Sequence, residues 1–347
     1  MNSEEVGLLF RQLEYFVAVA QERHFARAAE KCYVSQPALS AAIAKLEREL
    51  NVTLINRGHS FEGLTPEGER LVVWAKRILA EHDAFKAEVD AVRSGITGTL
   101  RLGTVPTAST TASLVLSAFC SAHPLVKVQI RSRLAATELY RQLREFELDA
   151  AIVHAALEDT REVDLVPLYA EHYVLLAPTD MLPAGASTLS WPDAAQLPLA
   201  LLTADMRDRQ IIDEAFAGHA LTVTPQVETD SVASLFAQVA SGNWACIVPH
   251  TWLWTSPPGG GIRVVEMVDP VLTAQIALAT NSAGPGSPVA RALTASAQQL
   301  ALDEFFDAQL AGITRRRLPG QAWLRWWGSG SPDARFPPRR RGRARSR

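Results

Sequence analysis

Apolar residues recur at helical spacing through the first hundred positions, then give way to short apolar runs. Phe10, Leu13, Phe16, Val17 and Ala20 share one face of a segment whose other face carries Arg11, Glu14 and Gln21, which predicts an amphipathic helix over residues 10–22. A second, shorter helix is predicted over 25–32, where the small Ala26, Ala28 and Ala29 let a neighbouring helix approach closely. A third begins after Ser35, a good N-cap, with Pro37 in the first turn where a missing N–H costs nothing. On it Leu39, Ile43, Leu46 and Leu50 form a packing stripe, while Gln36, Ser40, Ala41, Ala44 and Arg48 lie on or near the other side. Two helices joined by a turn of about four residues, the second offering polar side chains at its N-terminus, make a helix-turn-helix whose recognition helix enters a major groove.

Residues 52–65 hold two short extended pieces around Arg57-Gly58-His59, readable as a wing. A long helix is predicted from Pro66 to about Ser94: Thr65 caps it, Glu67 and Glu69 oppose the positive end of its dipole, and Gly95 stops it. Leu71, Ala75, Ile78, His82, Phe85, Val89 and Val92 alternate at spacings of four and three, a heptad seam that points to helix–helix dimerisation, against simple packing onto its own domain, with His82 as a polar interruption.

Beyond a hinge at 95–98 the pattern alternates strands with helices, the rhythm of a parallel sheet. Strands are predicted over 100–105, 126–132, 150–153, 173–177, 199–203, 226–229, 245–248, 263–268 and 275–279, with helices over 107–121, 137–147, 208–217, 232–240 and 288–310. That length suits two α/β lobes. The expected organisation is a winged helix-turn-helix over 1–66, a linker and dimerisation helix over 67–94, and a two-lobed domain over 95–312. Lobe I would take about 95–169 and 271–312, and lobe II about 170–270. Residues 313–347 differ in kind, with Arg-rich stretches, Trp323, Trp326 and Trp327, then Pro, Gly and Ser, which predicts a disordered tail.

Charge changes this picture in one respect. The net charge of -3 is uneven: the last 35 residues carry eleven Arg against the single acid Asp333, whereas residues 1–94 hold 12 basic and 14 acidic residues. DNA binding therefore rests on the helix-turn-helix pattern and not on a basic N-terminal domain. The arginine-rich tail either adds non-specific phosphate attraction or is a solvated extension. The three cysteines, Cys32, Cys120 and Cys246, are far apart, which points to buried free thiols, against a redox role, and to neither a disulfide framework nor a zinc site. No run of about 18 apolar residues occurs and the N-terminus carries Glu4 and Glu5, so a soluble, cytoplasmic protein is expected.

Val34-Ser35-Gln36-Pro37-Ala38-Leu39-Ser40, preceded by Phe25-Ala26-Arg27-Ala28-Ala29-Glu30 and followed by Lys45-Leu46-Glu47-Arg48-Glu49-Leu50, resembles the LysR-type transcriptional regulators. The likeness begins at Arg11-Gln12-Leu13-Glu14-Tyr15-Phe16 and continues through Leu54-Ile55-Asn56-Arg57 and Leu64-Thr65-Pro66-Glu67-Gly68, covering about the first 94 residues in register. The resemblance implies an α/β fold class with an all-α N-terminal part: a winged helix-turn-helix, a dimerising linker helix, and a periplasmic-binding-protein-like effector domain of two lobes, commonly assembled as a homotetramer. It also implies double-stranded operator DNA as partner, a small-molecule effector, and RNA polymerase as a further partner. Family recognition residues map onto Gln36, Pro37 and Ser40, with Arg27 and Ser35 beside them. Gln36 suits bidentate contact with adenine, and Ser40 a base or phosphate. The family often carries Arg immediately after Ser40; here Ala41 removes that contact. Arg57 and His59 in the wing are candidates for phosphate or minor-groove contact, against a solvated turn. The string from Ser40 to Lys45, with Phe61-Glu62-Gly63-Leu64, is similar to regulators associated with formate oxidation or one-carbon metabolism.

Ligand sites in α/β lobes lie at the carboxyl ends of parallel strands, where helix N-termini present free N–H groups. Thr104, Thr107 and Ser109 occupy such a junction, and Thr203 and Thr229 stand at matching strand ends of the other lobe. Hydroxyls beside backbone donors suit a small carboxylate or other anion, although the same residues can simply cap helices. Asp230 would repel an anion, and His154, His172 and His250 read as structural histidines. No cofactor or metal is expected. Nor is an enzyme: the sequence has no Gly-x-Ser-x-Gly elbow, Walker A loop, Gly-x-Gly-x-x-Gly or His-Glu-x-x-His. The alternative to an effector-controlled regulator is an architectural or constitutive DNA-binding protein.

Overall fold

The computed structural model describes residues 3–57, 61–132, 134–155 and 162–315; side chains are described from residue 9, and those of Arg57 and Arg315 are not. Three helices open the chain: α1 (Ser3–Glu22), α2 (Phe25–Lys31) and α3 (Gln36–Leu50). The turn between α2 and α3 passes through Tyr33, whose φ of 56° is left-handed, and Ser35 caps α3 by accepting from the Ala38 amide. Leu39, Ile43 and Leu46 are buried with Phe16, Val17, Val19, Ala28 and Leu54 in one core. The wing is the antiparallel pair β1 (Ile55–Arg57) and β2 (Phe61–Leu64), anchored where the Glu47 carboxylate accepts the Leu54 and Ile55 amides at 2.9 and 3.2 Å.

α4 (Pro66–Ser94) starts as its sequence dictates. Thr65 Oγ1 accepts from the Gly68 amide at 2.9 Å and donates to the Thr53 carbonyl at 2.6 Å. Gly68 is required there, because a Cβ would stand 2.0 Å from the Leu54 carbonyl oxygen. Of the heptad positions, Ala75 is buried against the N-terminal core and His82 stacks on Phe10 of the same chain, ring centroids 4.0 Å apart. Ile78, Phe85, Val89 and Val92 are exposed.

The remaining strands are β3 (Gly98–Thr104), β4 (Val126–Arg131), β5 (Ala150–His154), β6 (Val163–Pro178), β7 (Thr188–Ser190), β8 (Ala200–Leu202), β9 (Val227–Thr229), β10 (Cys246–Pro249), β11 (Ile262–Val268) and β12 (Thr273–Asn281). The remaining helices are α5 (Ala112–Ala122), α6 (Ala136–Arg144), α7 (Trp191–Ala194), α8 (Arg207–Gly218), α9 (Val232–Ala240), α10 (Pro288–Gln298) and α11 (Leu302–Arg315). The main sheet runs β4-β3-β5-β12-β6-β11-β7, with β10 also paired to β6. It is mixed and not the parallel sheet expected: β3 pairs in parallel with β4 and β5, but β12 runs antiparallel to both β5 and β6.

β6 joins the lobes. Val163–His172 pairs with β12, and Tyr173–Pro178 with β10 and β11. One core gathers residues of β3, β5, α5, α6 and α10; two others gather residues of the second half of β6 with α7, α8, α9, β10 and β11. α11 spans them, with Phe306 in the first core and Leu310 and Ile313 against the last.

Three further expectations are corrected. The helix expected from Thr107 starts at Ala112, because Pro106–Ala108 forms a 3-10 turn and the hydroxyls of Ser109 and Thr111 donate back to the Pro106 and Ala108 carbonyls. Such local bonds compete with a continuing helix. The single helix expected over 288–310 is two, broken after Gln298, and Ile313 belongs to α11 and not to a tail. Residues 316–347, including the three tail tryptophans, lie outside the described residues. Among the described residues, no helix is long and apolar enough to cross a membrane.

Candidate DNA-binding surface and sensing site

The N-terminus of α3 stands clear of the protein. Ser35, Gln36 and Pro37 are exposed and Ser40 is half-buried on the same side, while the opposite stripe is wholly buried. Arg27 is exposed on α2, its guanidinium donating to the Glu22 carbonyl at 2.6 Å. Tyr33, 96% exposed beside Ser35, was not singled out from the sequence because the left-handed backbone that turns its ring outward is invisible there. Arg57 ends β1, its side chain undescribed, and His59 lies outside the described residues.

At the junction of the lobes the structure brings together groups far apart in sequence. His154 at the end of β5, Glu171 in the middle of β6 and Asp208 in the first turn of α8 are all buried. His154 Nε2 lies 3.5 Å from Asp208 Oδ2, an ion-pair distance, and neither ring nitrogen has a hydrogen-bond partner among the described residues. Tyr173 donates to Asp208 at 3.1 Å and Thr251 donates to Glu171 at 2.8 Å. Burial pushes the Glu171 carboxyl far above the ordinary carboxylate range, and the Asp208 charge adds to the effect. For His154, burial acts downward, but the contact with Asp208 and the Glu171 charge win, and its pKa rises.

Of the five hydroxyl residues expected to meet a ligand, Thr104 is buried and Thr203 half-buried, and the hydroxyl of each is enclosed without a partner. Thr107 is buried in the 3-10 turn, and Ser109 is spent on the Pro106 carbonyl at 2.8 Å. Thr229 accepts the Ser231 amide at 3.1 Å, a turn bond. None of the five lines a 480 Å³ cavity between α8 and β12, bounded by His154, Arg207, Ile211, Glu214, Leu272 and Gln275 among others. His154, Glu171 and Asp208 were not recognised as a group from sequence because the contacts that unite them span lobes and many residues. A polar residue inside an apolar strand run, as at His154, was the one available signal. His250, beside this region, has its pKa pulled down to about 4 by burial and by His172, in keeping with a structural role. No group of three or more potential metal ligands occurs among the described residues.

An exposed helix-turn-helix with a wing, carried by a long helix on a two-lobed α/β domain, defines a DNA-binding protein with a sensor-type domain. The chain belongs to the LysR family of bacterial transcriptional regulators: the family's helix-turn-helix matches residues 10–69 and its substrate binding domain residues 93–301. It is 33% identical over 272 residues to a probable hydrogen peroxide-inducible genes activator of Streptomyces viridosporus, covering 77% of this chain and 86% of that one. It is 31% identical over 307 residues to an SDS degradation transcriptional activation protein of a Pseudomonas species, covering 85% of this chain and 95% of that one. Among solved structures, a full-length OxyR variant from Pseudomonas aeruginosa superposes with a TM-score of 0.68 at 28% identity, covering 83% of this chain and 96% of that one. Full-length CbnR bound to its target DNA shares the fold, with a TM-score of 0.56 at 20% identity over 83% of this chain and 98% of that chain.

Proposed function

We propose that the protein is an effector-responsive transcriptional activator whose dimer reads an inverted repeat with two copies of α3. The dimer forms through the exposed half of the α4 seam and assembles further into a tetramer. A small carboxylate or other organic anion, sensed where the lobes meet, reorients the heads and so controls a metabolic operon, in some promoters through contact with RNA polymerase. The observation that carries this reading is Gln36, the first residue of α3, exposed beside a capped N-terminus on a buried packing stripe. That is the placement from which an amide reaches an adenine edge. Tyr33, Arg27 and Ser40 surround it, suited to phosphate contacts that fix register.

The relatives' names suggest peroxide as a signal, and two of the three thiols argue against it here. A peroxide sensor needs an accessible thiolate. Burial drives the Cys246 thiol far up, and burial together with the Glu14 charge raises Cys32. Cys120, on α5, is the one exposed thiol.

The test is Gln36→Ala in operator binding against random DNA. Specific affinity should fall by about 1 to 3 kcal/mol for the lost contact with non-specific binding unchanged. Undiminished operator selectivity would remove α3 from its assigned role. A footprint that no organic anion alters would favour the constitutive alternative.

A further inference from the structure

We propose that the cavity between α8 and β12 binds an organic monocarboxylate with a short apolar body, its head group held by Arg207 of one lobe and His154 of the other. The proposal rests on the reading of the two-lobed domain as an anion sensor, and it moves the site away from the strand-end hydroxyls at Thr104, Thr107, Ser109, Thr203 and Thr229.

The space, 480 Å³, lies within the range of about 300 to 1,000 Å³ typical of small-molecule sites. One side is apolar, formed by Ile211 and Ala215 of α8 with Leu272 and Ala274 of the β12 end. Opposite chemistry comes from a few groups. His154 is 3% exposed and lines the space; its Nε2 stands 3.5 Å from Asp208 Oδ2, while its Nδ1 has no hydrogen-bond partner among the described residues. A buried ring nitrogen in that condition costs free energy until something meets it.

Arg207 is bound to Glu214 at 2.8 Å, but that carboxylate is 64% exposed. An exposed pair of this kind contributes only about 0 to 1 kcal/mol, so an incoming carboxylate can replace Glu214 at little loss. His219 also lines the space, its Nε2 already 2.6 Å from the Asp269 carbonyl.

The sign of the ligand follows from what faces the cavity. Asp208 does not line it; it lies behind His154, where it stabilises the imidazolium. Glu214 is the one acid on the wall and is already matched to Arg207. An ammonium would meet Arg207 and His154 with one spent acid, whereas a carboxylate meets two donors. Because His154 sits on β5 and Arg207 and Asp208 on α8, the head group would contact both lobes, and binding would act on a charged pair formed between them.

The full chain is titrated with hexanoate, octanoate and 3-phenylpropionate, each beside its matched alcohol and amine, by calorimetry and thermal shift. At least one acid should bind, its alcohol and amine at least tenfold more weakly. Arg207→Gln and His154→Gln should each weaken the acid at least tenfold, while Thr104→Val leaves it unchanged; circular dichroism melts check that each variant folds. Failure of every acid, preference for an amine, or acid binding indifferent to Arg207→Gln would overturn the site. The sensor reading fails separately. Acid that binds through Arg207 without changing the operator footprint sinks the sensor and keeps the site, whereas a footprint change retained in Arg207→Gln keeps the sensor and sinks the site.

Discussion

Glu171 shows how a single buried carboxyl sets a pH dependence. It is 1% exposed on the strand shared by both lobes, accepts one hydrogen bond from Thr251, and has its pKa pushed up to about 8 by burial and by Asp208. A group whose folded pKa is raised contributes stability that is full below the unfolded carboxylate value and is lost as pH rises through the folded one. The expected window is therefore about pH 4.5 to 8. Glu171→Gln, neutral throughout, should match the parent at pH 5 and exceed it progressively toward pH 9. A difference of about 1 kcal/mol moves the melting temperature of a 150–250-residue domain by about 2 to 4 °C, so melting curves across that range resolve it. A constant difference at every pH would mean that Glu171 is ionised in the fold. His250 acts in the opposite sense, its depressed pKa removing stability as pH falls below 6.5 toward 4, so the low-pH limb belongs to a different residue.

Among the elements, α4 joins two environments on one helix. Its first half is fixed by Thr65, Gly68 and Ala75 against the N-terminal core, and its seam then runs out through Ile78, Phe85, Val89 and Val92, which are exposed among the described residues. Burying a Phe contributes about 1.5 to 3 kcal/mol, and a symmetric seam buries it twice. Phe85→Glu should thus leave the monomer folded and weaken dimerisation by at least about 100-fold, as sedimentation equilibrium would read; an unchanged association constant would place the dimer contact elsewhere.

This helix was legible in the sequence because its cap, proline, acids and heptad are all local signals. α3 was legible for the same reason. β6 was not: Asp164, Pro167, Glu171 and His172 interrupt its apolar positions, so only residues 173–177 read as a strand. Glu171 and His172 lie where the strand leaves one lobe's core and enters the other's, while Asp164 and Pro167 are exposed positions on its lobe I half. The same physics hid the buried group of His154, Glu171 and Asp208, whose members become neighbours only when the lobes pack. Hydroxyls at strand ends are the local signal of a ligand site, and here they marked turns and enclosed positions.

At the scale of the whole molecule, a ligand between the lobes reaches DNA only if α4 is coupled to lobe I, and the coupling is visible as polar contacts made by three of its residues, Lys76, Arg77 and Glu88. Lys76, with a side chain 11% exposed, lies between Glu145 and Glu147 at the end of α6, at 2.9 Å from the latter. Arg77 donates to the Ala283 carbonyl at 2.6 Å, and Glu88 pairs with Arg291 of α10. Lys76 is the partly desolvated member and, among the described residues, the one cation that reaches these carboxylates from α4; without it Glu145 and Glu147 keep Arg141 of α6, at 2.8 and 3.3 Å, and the docked helix loses its charged contact with them. A ligand shifts an equilibrium only through contacts that differ between states, and a helix free of lobe I differs little whichever state the lobes adopt. Lys76→Met should therefore retain operator affinity within about threefold and retain acid binding, while the footprint change produced by the acid shrinks or disappears. A full ligand-dependent change in this variant would show that the signal travels by another route, with the lobes of one subunit acting on its partner.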